Sequence, residues 1–212
     1  MEHLSREQQL YEVGERASAC TACALSATRN HVVFGEGNPE APLVFVGEGP
    51  GQNEDATGRP FVGRAGALLD ECMRDNGITR KHIYICNTVK CRACIAENGR
   101  IRNRPPAPDE MAACRPWLEE QLRIIKPLAI LCLGAPAANT LIHSNFLITR
   151  ERGQWFESSP HCRYIAAGIH PAYILRHHGE AYDKMRQTLV DDISAARLKV
   201  IQAKREIPAT LL

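Results

Sequence analysis

Apolar residues gather in this chain into short runs, separated by longer stretches in which they recur every three or four positions. The runs LVFVG (43–47), HIYICN (82–87), LAILCLG (128–134) and RYIAAG (163–168) have strand length and almost no polar alternation. That pattern predicts strands covered on both faces. Helical spacing fills the gaps. Residues 64–76 place Ala65, Leu68, Leu69, Cys72 and Met73 on one stripe and stop at Asn76-Gly77. Further helices are predicted over 5–18, about 108–125, 135–142 and 181–204. Strands alternating with helices predict a three-layer α/β/α fold around a central four-stranded parallel sheet, one domain over 1–212. The stretch ACIAENGRIRNRPPAPDE (93–110) carries neither period and reads as a long polar loop.

Parallel sheets of this kind bind ligands beyond the carboxyl ends of their strands. The rule marks GEGPG after the first strand, Asn87 after the second, Gly134 after the third and His170 after the fourth. Each is weak alone: a glycine-rich turn, a polar strand end or a His-Pro pair is common in loops.

Composition narrows the class. Of 212 residues, 44% are apolar and 24% charged, the mixture of an ordinary globular chain. Lys and Arg number 26 against 24 Asp and Glu, so a polyanion must meet a local patch, not a global field. No apolar run approaches the roughly 18 residues that span a bilayer. The start, MEHLSREQQLYEVGER, lacks the apolar core of a signal peptide. A cytoplasmic chain without membrane contact is expected.

The nine cysteines need a reason. Cys72, Cys86, Cys132 and Cys162 lie in helix or strand patterns and read as small buried hydrophobes. Cys20-x-x-Cys23, Cys91-x-x-Cys94 and Cys114 have the spacing of metal ligands. The two pairs alone would suit a zinc ribbon as well as an iron–sulfur cluster.

Taken in order, HVVFGEGNP (31–39), GEGPGQNEDATGRPFVGRAG (47–66), ICNTVKC (85–91), ACRPWL (113–118), LGAPAA (133–138) and GIHPAYILR (168–176) resemble the iron–sulfur family 4 uracil-DNA glycosylases. The resemblance runs from Cys20 to Arg176. It implies hydrolysis of the N-glycosidic bond of uracil in single- or double-stranded DNA by a monomeric repair enzyme, leaving an abasic site. It also implies a [4Fe–4S] cluster on Cys20, Cys23, Cys91 and Cys114, with Cys94 as the alternative to Cys91.

The same resemblance assigns roles. Phe61 is the stacking aromatic and Asn87 reads the uracil edge, where an amide accepts from N3–H and donates to O4. His170 hydrogen-bonds O2 as negative charge builds on the leaving base. Gly49 lies against the uracil. Glu48 activates water, and Glu54 guards the C5 edge against thymine. Ile174 and Leu175 are expected to wedge into the space the base vacates, with Arg176 on phosphate. The loop exceeds the length expected for plain family members and resembles that of cross-linking relatives, whose loop ends in an attacking His. Here Asn103 stands at that place and the loop holds no His, so hydrolysis with release is expected. Arg100, Arg102 and Arg104 are candidates for phosphate contact. Two rivals remain: a uracil-DNA binder without turnover, and a metal-stabilised α/β nucleotide-binding or redox module.

Overall fold

A computed structural model describes residues 4–206. The four apolar runs form parallel strands: β2 (Leu43–Gly47), β3 (Tyr84–Asn87), β6 (Ala129–Leu133) and β8 (Cys162–Gly168). Two antiparallel edge strands, β1 (Glu36–Gly37) and β7 (Phe156–Ser159), extend the expected four to a six-stranded sheet in the order β1-β3-β2-β6-β8-β7. Neither edge has an apolar run. Each exists because a neighbouring strand supplies its hydrogen bonds.

Alternate side chains of the central strands feed opposite layers, which explains the unbroken apolar runs. Phe45, Leu131 and Leu133 point toward α3 (Arg64–Asp75), α7 (Pro171–Ile174) and α8 (Gly179–Glu206). Val44, Val46, Ile130 and Cys132 point the other way, toward α1 (Arg6–Ser18), α4 (Pro108–Ile125) and α5 (Ala135–Leu141). Two short helices complete the chain, α2 (Gln52–Thr57) and α6 (Ile148–Glu151). None of the helices described is long and apolar enough to cross a membrane.

The stretch expected as a loop contains a hairpin, β4 (Cys94–Glu97) against β5 (Arg100–Asn103). Its two-residue turn is Asn98-Gly99, with φ of 50° and 72°, the positive pair that matches the twist of paired strands.

Register aligns the active ends. Gly47 pairs with Asn87, and Leu133 with Gly168. The turns carrying Glu48, Thr88, Gly134 and Ile169 therefore leave the sheet side by side.

Candidate active site

These turns frame a cleft of about 900 Å³ whose walls include Glu48, Gly49, Phe61, Asn87, Asn103 and His170. The chain thus brings together the residues expected to handle the base, from three strand ends and the loop before α3, with Asn103 of the hairpin beside them.

Asn87 ends β3 and is only 2% exposed. Its backbone is fixed by the buried Lys90, whose Nζ donates to the Asn87 carbonyl at 2.7 Å. The next residue ties β3 to the turn carrying Glu48: Thr88 N donates to Gly47 O at 2.9 Å and Thr88 Oγ1 to Glu48 O at 2.6 Å. Among the described residues the side-chain oxygen Oδ1 of Asn87 is buried without a hydrogen-bond partner. An acceptor in that state is costly unless a ligand supplies the donor.

Phe61 adopts φ of 52°, a left-handed conformation unusual for an aromatic residue. Three features hold it there. Arg80 donates to the carbonyls of Pro60 and Phe61 while paired to Glu36 and Asp70. Glu54 accepts from Val62 N and Gly63 N, both at 2.9 Å. Gly66 leaves room, since a Cβ there would collide with the Phe61 carbonyl. The ring ends 5.9 Å from that of His170, tilted by 34°.

His170 follows β8 as the cap of α7, its Nδ1 accepting from Ala172 N at 3.1 Å. That bond assigns the proton of the neutral ring to Nε2, leaving Nε2 as the donor. Burial, aided by the charge of Arg176, pushes the His170 pKa down to about 4. The ring is therefore neutral near pH 7.

The two acidic residues of the turn differ. Glu54 accepts from Gly51 N at 3.1 Å besides its bonds to Val62 and Gly63. Its carboxylate holds the turn together. Glu48 is half-buried, and burial alone pushes its carboxyl above the ordinary range.

Other expectations meet the structure unevenly. Ile174 is fully buried against the α3 and α8 side of the core, so it does not present a wedge; Leu175 is partly buried on the same cluster. Tyr173 is the exposed residue of that segment, 48% accessible at the cleft, its ring 4.8 Å from that of His177. Arg176 also lines the cleft. Arg100 and Arg102 are exposed on β5, whereas Arg104 lines the cleft and makes a two-point ion pair with the buried Glu110 at 2.6 and 2.7 Å. Sequence reasoning passed over the chemistry of Asn103. Its Oδ1 accepts from Arg92 Nε at 2.7 Å, so its amide NH₂ is left for the cleft side near Gly51.

Cys20, Cys23, Cys91 and Cys114 surround one cavity, with Arg29, Lys90 and Trp117 beside them. Arg29 Nη1 approaches Cys91 Sγ at 3.6 Å and Lys90 N donates to Cys114 Sγ at 3.1 Å. Cys94, on β4, is not part of that lining. Among the described residues no three His, Cys, Asp or Glu side chains converge tightly enough to grip a single ion.

The family model of the uracil DNA glycosylase superfamily matches residues 34–194. The chain is similar to a type-4 uracil-DNA glycosylase of Thermotoga maritima, 43% identical over 91% of this chain and 95% of the relative. It is similar also to a type-4 uracil-DNA glycosylase of Archaeoglobus fulgidus, 37% identical over 79% and 84% of the two chains. A type-5 uracil-DNA glycosylase of Thermus thermophilus is 30% identical over about half of each. With the strand-end cleft, this likeness over nearly the whole length means that the chain belongs to the uracil-DNA glycosylase superfamily, within its type-4 branch.

Proposed function

We propose that this chain excises uracil from DNA by hydrolysing its N-glycosidic bond, acting as a single-domain cytoplasmic monomer. The carrying observation is the buried, unpartnered Asn87 Oδ1 at the back of the cleft, flanked by the Phe61 ring and the neutral His170. Uracil supplies the missing donor with N3–H, while cytosine would set an acceptor against that oxygen.

The base must leave the duplex, at a cost of about a few kcal/mol. Phe61 then stacks on it, and Asn87 Oδ1 accepts from N3–H. As the C1′–N1 bond breaks, its electron pair moves onto uracil, and the Nε2–H of His170 stabilises the charge arriving at O2. A neutral donor suits this step, because it strengthens with the charge without protonating the base beforehand. On the sugar side the Glu48 carboxylate stabilises the positive charge and takes the proton of the attacking water, whose oxygen bonds to C1′. The NH₂ of Asn103 is placed to orient that water or the sugar. Gly49 lets the turn approach the base.

The four thiols fit a [4Fe–4S] cluster: they form an all-cysteine donor set around one cavity, with two N–H groups near sulfur, and the likeness to type-4 relatives favours the cluster over a single zinc. Bound there, it supplies structural cross-linking of the N-terminal segment to the 91–114 stretch. Arg100, Arg102 and Arg176 meet phosphates, and Tyr173, with Leu175 beside it, replaces Ile174 as the group filling the vacated stack.

The test is incubation with a uracil-containing oligonucleotide, single- and double-stranded, followed by alkali. Strand breaks at uracil with free base released are expected. Binding without release would overturn the reading in favour of a non-catalytic uracil-DNA binder.

A further inference from the structure

We infer that Asp55 is a positioning residue that carries the constraint of the four-cysteine cavity to the uracil pocket. The idea rests on the glycosylase reading above for its functional meaning, and on hydrogen bonds for its substance.

Residues 29–33 bridge the two sites. At one end Arg29 Nη1 donates to Cys20 O at 2.7 Å and approaches Cys91 Sγ at 3.6 Å, and Arg29 Nη2 donates to Ser18 O at 3.2 Å. The next residue, Asn30, is docked onto α2: its N donates to Asp55 Oδ1 at 2.8 Å and its Nδ2 to Asp55 Oδ2 at 2.6 Å. His31 adds an Nδ1 contact to the Asp55 carbonyl at 2.8 Å, and Val33 N donates to Lys90 O at 2.7 Å. Asp55 itself is 1% exposed, on a helix six residues long.

A carboxylate so buried is stable only with such donors, so the segment and the helix are fixed to each other. Helix α2 also carries Glu54, whose carboxylate holds Gly51, Val62 and Gly63 around the cleft. Adjacent residues of one short helix thus face two ways, Asp55 toward the cysteine segment and Glu54 toward the turn bearing Phe61. Residues 29–31 link the cysteine cavity directly to that helix. If the cavity loosens, Arg29 loses its anchors, Asn30 shifts, and the tilt of α2 is freed. Displacements of order 1 Å at a reacting centre cost about 10²-fold in rate.

The test compares D55N, N30A, N30D and the exchange pair N30D/D55N, each scored for iron content, melting temperature, single-turnover uracil release and amide hydrogen exchange over residues 48–63. D55N replaces the ionised two-oxygen acceptor with a neutral amide that keeps one acceptor oxygen, and N30D sets two carboxylates together. Each is expected to keep its iron, cleave about 10- to 100-fold slower and lose exchange protection over 48–63. In the exchange pair, the amide now on α2 donates to the carboxylate now on the cysteine segment, and rate and protection should return toward wild type. N30A, which deletes only the side-chain bond, serves if D55N fails to fold, and should show a smaller loss of the same kind. Removing the metal from the wild type with a chelator should deprotect 48–63 as well. Wild-type rate and protection in D55N or N30A would overturn the proposal, as would an exchange pair no better than D55N. If wild-type protein releases no uracil, the glycosylase reading fails instead, and the exchange pattern still decides the linkage.

Discussion

Gly47, the last residue of β2, offers a direct probe of how closely the base-reading groups are packed. A Cβ built there would stand 2.4 Å from Asn87 Oδ1 and 2.6 Å from Phe61 Cζ. Reaching the 3.4 Å at which ordinary contact begins means moving the amide by about 1.0 Å and the ring by about 0.8 Å. Neither can yield freely. Asn87 is buried with its carbonyl held by Lys90, and the carbonyl of Phe61 is clamped by Arg80. Gly47→Ala therefore misplaces both groups that define the base pocket, and a displacement near 1 Å predicts a loss of about 10²-fold, equivalent to about 2.7 kcal/mol of transition-state stabilisation. The backbone at Gly47 has no left-handed torsion, so no conformational strain confuses the result. Overpacking itself costs about 1–3 kcal/mol of stability, or roughly 2–12 °C in melting temperature for a chain this size. Single-turnover cleavage of a uracil oligonucleotide by excess enzyme, with a thermal melt in parallel, measures both. A folded G47A enzyme that cleaves within twofold of wild type would refute the packing argument.

Four further outcomes follow from the cleft and the cysteine cavity. His170→Ala should slow cleavage by about 10²–10³-fold with little change in binding of uracil DNA, the scale for one donor to developing charge; equal losses in binding and cleavage would assign the ring to ground-state binding. The wild-type rate should show no titration near pH 6.5, because the ring stays neutral down to about 4. The unfolded state takes up a proton that the folded ring refuses, so the stability the ring contributes is complete above about pH 6.5 and is lost as pH falls toward 4. Glu48→Gln should cost about 10²–10⁴-fold and abolish an acid limb set by a carboxyl lying above its ordinary range; an unchanged pH profile in that variant would move water activation elsewhere. Cys20→Ser or Cys114→Ser should yield protein with less iron and a lower melting temperature, read by metal analysis and a melt, and retention of iron in both would reject the four-cysteine set.

The parallel core was legible because burial on both faces writes itself into the sequence as unbroken apolar runs, and the strand-end rule then located the site. The edges were not legible. Glu36–Gly37 and Phe156–Ser159 become strands through pairing with β3 and β8, and nothing in their composition demands it. The hairpin was legible in principle: Asn98-Gly99 is a strong local signal for a two-residue turn. Flanking strands of mixed charge, Cys94–Glu97 and Arg100–Asn103, hid it by breaking the usual alternation. The burial of Ile174 was hidden for another reason. In HPAYILR the segment turns into one turn of helix, and packing against α3 and α8 decides that Ile174 faces inward and Tyr173 outward. Arg80, which clamps Phe61 across some 19 residues of chain, left no local trace at all.

The two glutamates of one turn show where sequence reasoning has to stop. Glu48 and Glu54 are the same residue type, six positions apart, beside the same cleft. Their environments separate them, and environment assigns carboxylates their roles. Glu54 accepts three backbone N–H groups, from Gly51, Val62 and Gly63, and together these bonds hold the shape of the turn. Taking a proton from water would weaken those bonds and release the loop that presents Phe61. Glu48 carries no such duty, and burial raises its affinity for a proton. A base that must accept a proton during the reaction is better served by the second environment, which is why the proposed mechanism gives water activation to Glu48 and leaves Glu54 to hold the turn that carries Phe61.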